Sequence, residues 1–181
     1  MFRFYNRLIQ RYYYTTQIVT GGTLWCLGDI ISQKGISYSR NEGEKALDKE
    51  RMLRMTGFGL FVASPMYAFW YQRLEVITSR FIRPPWHIII TKAIVDATVF
   101  DPIYLSVFYL SSTLAERKSF KEAKEKLMHE FGFTYLVDIS LWTPVQLANF
   151  RFVPVPFQAL VVQSVNLFWN AFLSYTQHEH K

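Results

Sequence analysis

Along the segment 141–154, Trp142, Gln146, Asn149 and Val153 fall at i, i+4, i+7 and i+11, so on a helix they share one face. That face is aromatic and polar, while the remainder of the segment is largely Leu, Val, Ala and Phe. A helix in water turns its amides outward. A helix in hydrocarbon turns them toward neighbouring helices, because an amide there needs a partner. The pattern recurs: Gly22, Cys26, Asp29 and Gln33 form a small-to-polar stripe on one apolar segment, and Gln163, Asn166, Asn170 and Ser174 form another near the C-terminus. Rods that are apolar on most faces and polar on one must bring those polar faces together or line a shared aqueous path.

Taken in order, the chain divides into helix candidates and polar connections within a single membrane domain, 1–181. Residues 1–15 hold Arg3, Arg7 and Arg11 on one helical face against Phe4, Tyr5, Leu8, Ile9 and Tyr12, with no acid. An acid-poor arginine helix of this kind reads as a mitochondrial targeting or membrane-surface element. No apolar secretory h-region opens the chain, and His178–Lys181 is not a peroxisomal Ser-Lys-Leu address.

The candidate membrane helices are about 16–33, 52–74, 86–114, 133–150 and 157–175. Between the first two lies the polar connection Lys34–Arg54, with Asp48 and Glu50 placed to open a helix. Phe69, Trp70 and Tyr71 read as an interfacial aromatic belt. The third segment carries Lys92, Asp96 and Asp101. Lys92 and Asp96, at i and i+4, are placed to pair. On a regular helix Asp101 lies about 140° around from Asp96 and needs another partner or water. Ser119 and Glu122 form a capping box that opens a short amphipathic helix to Phe131, read as interfacial. Asp138 sits in the fourth segment, Pro144 reads as a kink and Pro154 as a stop. The expected fold is all-α: an integral membrane bundle of four to five spans with a short interfacial helix.

Composition narrows the function. Half of the residues are hydrophobic and 19% are charged, against about 25% charged in soluble domains. The mean hydropathy of +0.05 is low for a membrane protein, which fits spans carrying many polar inward groups. The net charge of +6 comes from basic residues scattered among acids. Beyond the short N-terminal face of Arg3, Arg7 and Arg11 there is no arginine stripe, and no nucleic-acid module is present, so anionic headgroups are the expected counter-charge and no nucleic acid contact is expected. The single Cys26 excludes an intrachain disulfide and a multi-cysteine metal site. No phosphate loop or nucleophile motif is found, and His178 and His180 make a poor metal pair, so neither an enzyme, a cofactor nor a metal is expected.

Three motifs carry a family resemblance: WTPVQLANF at 142–150 closed by Val153 and Pro154, FWNAFLS at 168–174, and LGDIISQ at 27–33. With Trp70, Tyr71, Lys92, Asp96 and Pro102, they make the chain similar to the Mpv17/PMP22 family of small organelle-membrane proteins. The resemblance implies a packing role for Trp142, Gln146, Asn149, Phe150, Pro154, Trp169 and Asn170. It also implies a multi-pass protein of the mitochondrial inner membrane, a channel or small-solute transporter linked to mitochondrial DNA maintenance and reactive-oxygen metabolism. The alternatives are a non-conducting scaffold or interaction protein, or a peroxisomal membrane pore.

The candidate pore-lining or polar interior residues are Asp96, Asp101, Lys92, Asp138, Asp29 and Gln33. Expected partners are the lipid bilayer, small solutes or ions, and further copies of the chain in a homo-oligomer. The chain departs from the family pattern at Thr143-Pro144, where the family has Pro directly after Trp. It departs again at Ala97, where the family has Gln, and at Gln158, where it has Arg.

Overall fold

The computed structural model describes the backbone of residues 2–39, 46–81 and 85–179, and the side chains of 4–34, 46–80 and 86–168. Eight α-helices follow in order: α1 (Phe2–Arg11), α2 (Tyr13–Ser39), α3 (Lys49–Phe58), α4 (Ser64–Phe81), α5 (Pro85–Val95), α6 (Asp101–Ala115), α7 (Phe120–Phe152) and α8 (Val155–Glu179). Among the described residues there is no strand. The expected all-α class is what the chain adopts. No helix among the described residues is long and apolar enough to cross a membrane. Length is not what limits them: α2, α7 and α8 have 27, 33 and 25 residues, and about 20 suffice for a span. Their amides and charges lower the mean.

Two π-turns interrupt otherwise continuous helix, and both have the same cause. Gly59–Ala63 joins α3 to α4, and Asp96–Phe100 joins α5 to α6. Each is followed by one residue and then a proline: Ser64-Pro65 and Asp101-Pro102. Proline has no N–H to give, and its ring crowds the carbonyl of the preceding turn. The turn before it therefore widens. The Ser64 N–H bonds to the Gly59 carbonyl and the Asp101 N–H to the Asp96 carbonyl, five residues back in both cases.

The chain forms two compact units. Unit 1 comprises 1–68 and 159–181, and unit 2 comprises 69–158. In unit 1, α2 runs antiparallel to α3 and the first π-turn. Asp29 lies opposite Arg51, Trp25 meets Phe58 edge-on at 5.1 Å, and the Tyr13 hydroxyl reaches the Ala68 carbonyl at 3.4 Å. The start of α4 joins α8 through Ser64 to Gln163 at 2.6 Å and Asn166 to Tyr67 at 2.9 Å.

Gly59, like Gly22 opposite Leu60, permits a close approach between α2 and the first π-turn. A Cβ on Gly59 would lie 2.5 to 2.6 Å from the buried Trp25 side chain, whereas one on Gly57 meets nothing within 4 Å. Gly59→Ala should therefore cost about 1–3 kcal/mol by overpacking. Gly57→Ala should be neutral or stabilising by up to about 1 kcal/mol through helix propensity. Thermal unfolding in detergent, followed by circular dichroism, separates the two. Equal melting temperatures would remove Gly59 from that contact.

Unit 2 is built on α5–α6, antiparallel to both α4 and α7. The pairs Glu75–Lys92 and Trp70–Asp96 set the first register; Asp96–Gln146 and Tyr109–Thr134 set the second. At the N-terminus of α7 the Ser119–Glu122 capping box forms as its sequence predicts. Hydrogen bonds from the Ser119 hydroxyl and backbone N–H hold the Glu122 carboxyl below the usual carboxylate range. The segment expected as a separate interfacial helix, 120–131, is instead the first part of α7, which continues unbroken to Phe152. Gly132 is the sole weak point between them, and one glycine costs a helix only about 1 kcal/mol. Pro144 is accommodated within α7, and Pro154 lies in the break before α8.

Candidate functional site: a buried carboxyl cluster

The shared face of α7 points into unit 2. Trp142, Gln146, Asn149 and Phe150 are all buried, and Val153, just past the helix end, is half-buried. Gln146 is the hub. Its amide nitrogen donates to Asp96 Oδ2 and to the Tyr71 hydroxyl, both at 2.5 Å. Its oxygen accepts from Asn149 Nδ2 at 3.1 Å, and that same nitrogen reaches the Gln158 carbonyl at 3.3 Å. Gln158 then donates to the Val153 carbonyl at 3.1 Å, holding the turn between α7 and α8. The other Asp96 oxygen accepts from Trp70 Nε1 at 2.5 Å. Asp96, only 1% exposed, thus has a donor for each oxygen.

Lys92 does not pair with Asp96. It forms its ion pair with Glu75 of α4, and its ammonium lies 5.7 Å from the Phe150 ring centroid. The i, i+4 spacing made Asp96 the nearest partner in sequence, but the α4–α5 hairpin supplies a carboxylate from outside the helix. Trp70 likewise departs from its reading as part of an aromatic belt. It is half-buried, bonded to Asp96 and stacked on Phe100 at 5.1 Å. Phe69 is the exposed member of that trio.

The second π-turn changes the position of Asp101. On a regular helix it would face well away from Asp96; here its N–H closes the five-residue turn onto the Asp96 carbonyl, so it sits one turn above Asp96. Its carboxyl neighbours that of Asp138 from α7, with Asp96 as a further electrostatic neighbour. Asp138 is buried, and its Oδ2 has no hydrogen-bond partner among the described residues. Nor does any cation among them lie within ion-pair distance of Asp96, Asp101 or Asp138.

Pro102 has one more consequence. Lacking an N–H, it leaves the Ala97 carbonyl without a π-type donor, and the Tyr135 hydroxyl from α7 takes that place at 2.8 Å.

Asp29 and Gln33 lie in unit 1, in a different kind of site. Arg51 Nε donates to Asp29 Oδ1 at 2.8 Å, and its terminal nitrogen reaches Ser32 at 3.3 Å. Gln33 donates to Asp29 Oδ2 at 2.6 Å and accepts from the Asp48 backbone N–H at 2.7 Å. Asp48 itself caps α3 through the Arg51 N–H. The result is a clasp between α2 and α3. The side chains of Trp169 and Asn170 lie outside the described residues. Among the described residues no three His, Cys, Asp or Glu side chains are grouped to hold a metal ion.

Gln158, Trp70, Tyr71 and Tyr135 were not singled out as site residues by spacing. Asp101-Pro102 is the signal that bears on Tyr135 and Asp101: a proline inside a helix can open the turn before it, as here and at Ser64-Pro65, whereas Thr143-Pro144 stays within the α-helix of α7.

Residues 113–174, which hold the α7 face and the start of α8, match the model of the Mpv17 / PMP22 family. The chain is 30% identical over 175 residues to a mitochondrial inner membrane protein Mpv17 of Xenopus laevis, covering 97% of this chain and 96% of that protein. It is 33% identical over 159 residues to protein SYM1 of Mycosarcoma maydis, covering 87% and 76%. Against a mitochondrial inner membrane protein Mpv17 of Homo sapiens it is 30% identical over 179 residues, covering 98% of each. No solved structure matches. Near-full-length similarity of this kind, with the α7 face inside the matched region, makes the chain a member of the Mpv17 / PMP22 family.

Proposed function

We propose that this protein is a multi-pass helical protein of the mitochondrial inner membrane that passes small solutes or ions, with Asp96, Asp101 and Asp138 as its polar lining. The observation that carries the proposal is an inverted distribution of polarity. Gln17, Asp96, Gln163, Asn149 and Asp138 are 0 to 5% exposed, while Leu53, Phe61, Phe133, Phe152 and Phe168 are 72 to 80% exposed. Water favours the reverse, and a lipid surround favours this arrangement. The relatives' names place them in the mitochondrial inner membrane, and the arginine-bearing N-terminal segment fits the same destination. Alkaline carbonate extraction of mitochondria tests the placement: the protein should remain in the pellet, and recovery in the supernatant would end the reading. Imaging a tagged protein against inner-membrane and peroxisomal markers decides between the two membranes.

Conduction rests on the carboxyls. Three acids with no cation beside them, one with an oxygen lacking a protein partner, are stabilised by water or by a passing cation. Asp101→Asn should lower the preference for cations at least about twofold in planar bilayers. It should also change how conductance varies with pH, because the Asp101–Asp138 pair then has one titrating group instead of two. Asp29→Asn, acting on a clasp, should change stability more than selectivity. Folded, inserted protein that gives no current at any voltage or pH would favour a non-conducting scaffold. The continuous hydrogen-bonded chain Trp70–Asp96–Gln146–Asn149–Gln158 is the observation on that side.

A further inference from the structure

Three of the described ion pairs lie on the polar connections and helix ends: Arg54 with Glu50, Lys118 with Glu116, Lys121 with Glu125. Arg151, exposed in the last turn of α7, differs. Its guanidinium lies 5.0 Å from the Trp86 ring centroid and 5.7 Å from that of Phe152. It forms no ion pair or hydrogen bond among the described residues. Trp86 and Phe152 are themselves 63% and 78% exposed. A guanidinium held against aromatic rings keeps its in-plane N–H groups, and two parallel N–H groups match two oxygens of a phosphate diester.

From this geometry we infer that Arg151, with Trp86 and Phe152, binds the phosphodiester of an anionic phospholipid. A soluble phosphate would engage only the cation and leave both rings in water. A lipid takes the whole arrangement, its phosphate on the guanidinium and its glycerol and upper acyl chain on the rings. Arg73 repeats part of the device in the same unit, 5.1 Å from the half-exposed Phe69 ring. It has no second ring among the described residues, so Arg151 is the stronger site. The inference rests on membrane placement and not on conduction, and carbonate extraction reads placement separately.

The test uses purified full-length protein in detergent and native mass spectrometry, titrated with short-chain phosphatidylglycerol, with phosphatidylcholine of the same chains, and with inorganic phosphate. Wild type should retain phosphatidylglycerol in preference to phosphatidylcholine. Arg151→Gln should weaken that retention at least about tenfold, as loss of a charged hydrogen bond implies, and Trp86→Ala should also weaken it. Arg54→Gln, which removes the same charge from a cation already paired with Glu50, should retain lipid as wild type does. Circular dichroism and melting in the same detergent verify that each variant is folded. Equal retention by wild type and Arg151→Gln, no preference for the anionic lipid, or displacement by inorganic phosphate at matched concentration would each overturn the assignment.

Discussion

Arg51→Ala should destabilise the protein by about 3 kcal/mol, the lower end of what breaking a buried ion pair costs. The lower end applies because the Arg51 side chain is 26% exposed and water can partly replace it, whereas the Asp29 side chain is 3% exposed. Most of the loss arises from the carboxylate left behind rather than from the pair's own attraction. A second substitution tests that division. Asp29→Asn on the Arg51→Ala background should recover much of the stability, so the two changes should be strongly non-additive. Denaturant unfolding in detergent, monitored by helical circular dichroism, gives the four values of the cycle. Additive losses would show that Arg51 and Asp29 act independently and that the clasp is not a unit.

Gln146→Leu is expected to have an effect of similar size, about 3 kcal/mol, for a different reason. The substitution fills the space with hydrocarbon but leaves Asp96 Oδ2 without its donor and Asn149 without one acceptor. It also removes the link between Asp96 and the Tyr71 hydroxyl. Val145→Leu, one residue earlier on a half-buried face, should change stability by less than about 0.5 kcal/mol. If Gln146→Leu costs under about 1 kcal/mol, Asp96 has enough water to do without the amide, and the interior of unit 2 is wetter than its hydrogen bonds imply.

The α7 face was legible in sequence because nothing interrupts the periodicity between Trp142 and Asn149. Pro144 lies on an exposed face and leaves the spacing intact. Asp101 was misplaced because a regular helix was assumed where Pro102 enforces a wide turn. Asp101-Pro102 and Ser64-Pro65 are one recurring signal of such a turn. Lys92 was given the wrong partner for a second reason: local spacing ranks partners within a helix and is silent about Glu75, seventeen residues back on another helix. Asp29 and Gln33 were read with the polar interior because a stripe shows only that a face is polar. It does not distinguish a clasp closed by Arg51 from a carboxyl left open. Long-range pairing is where periodicity stops carrying information.

Counted along the chain rather than in space, each wide turn contains one residue more than the surrounding helix requires. The inward positions of α5 and α6 show it: Lys92, Asp96, Phe100, Leu105, Tyr109 and Thr113 are all buried, in steps of four interrupted by a single step of five. A residue gained or lost within a regular helix rotates everything after it by about 100°. At the wide turn the surplus is already present. With Pro102 replaced by alanine, a one-residue deletion between Asp96 and Asp101 can be absorbed by closing the turn to α geometry, with Leu105, Tyr109 and Thr113 still on the inward side. The proline that opens the turn thereby marks the place along this helix where, once the proline is replaced, the residue count can change without a change of face.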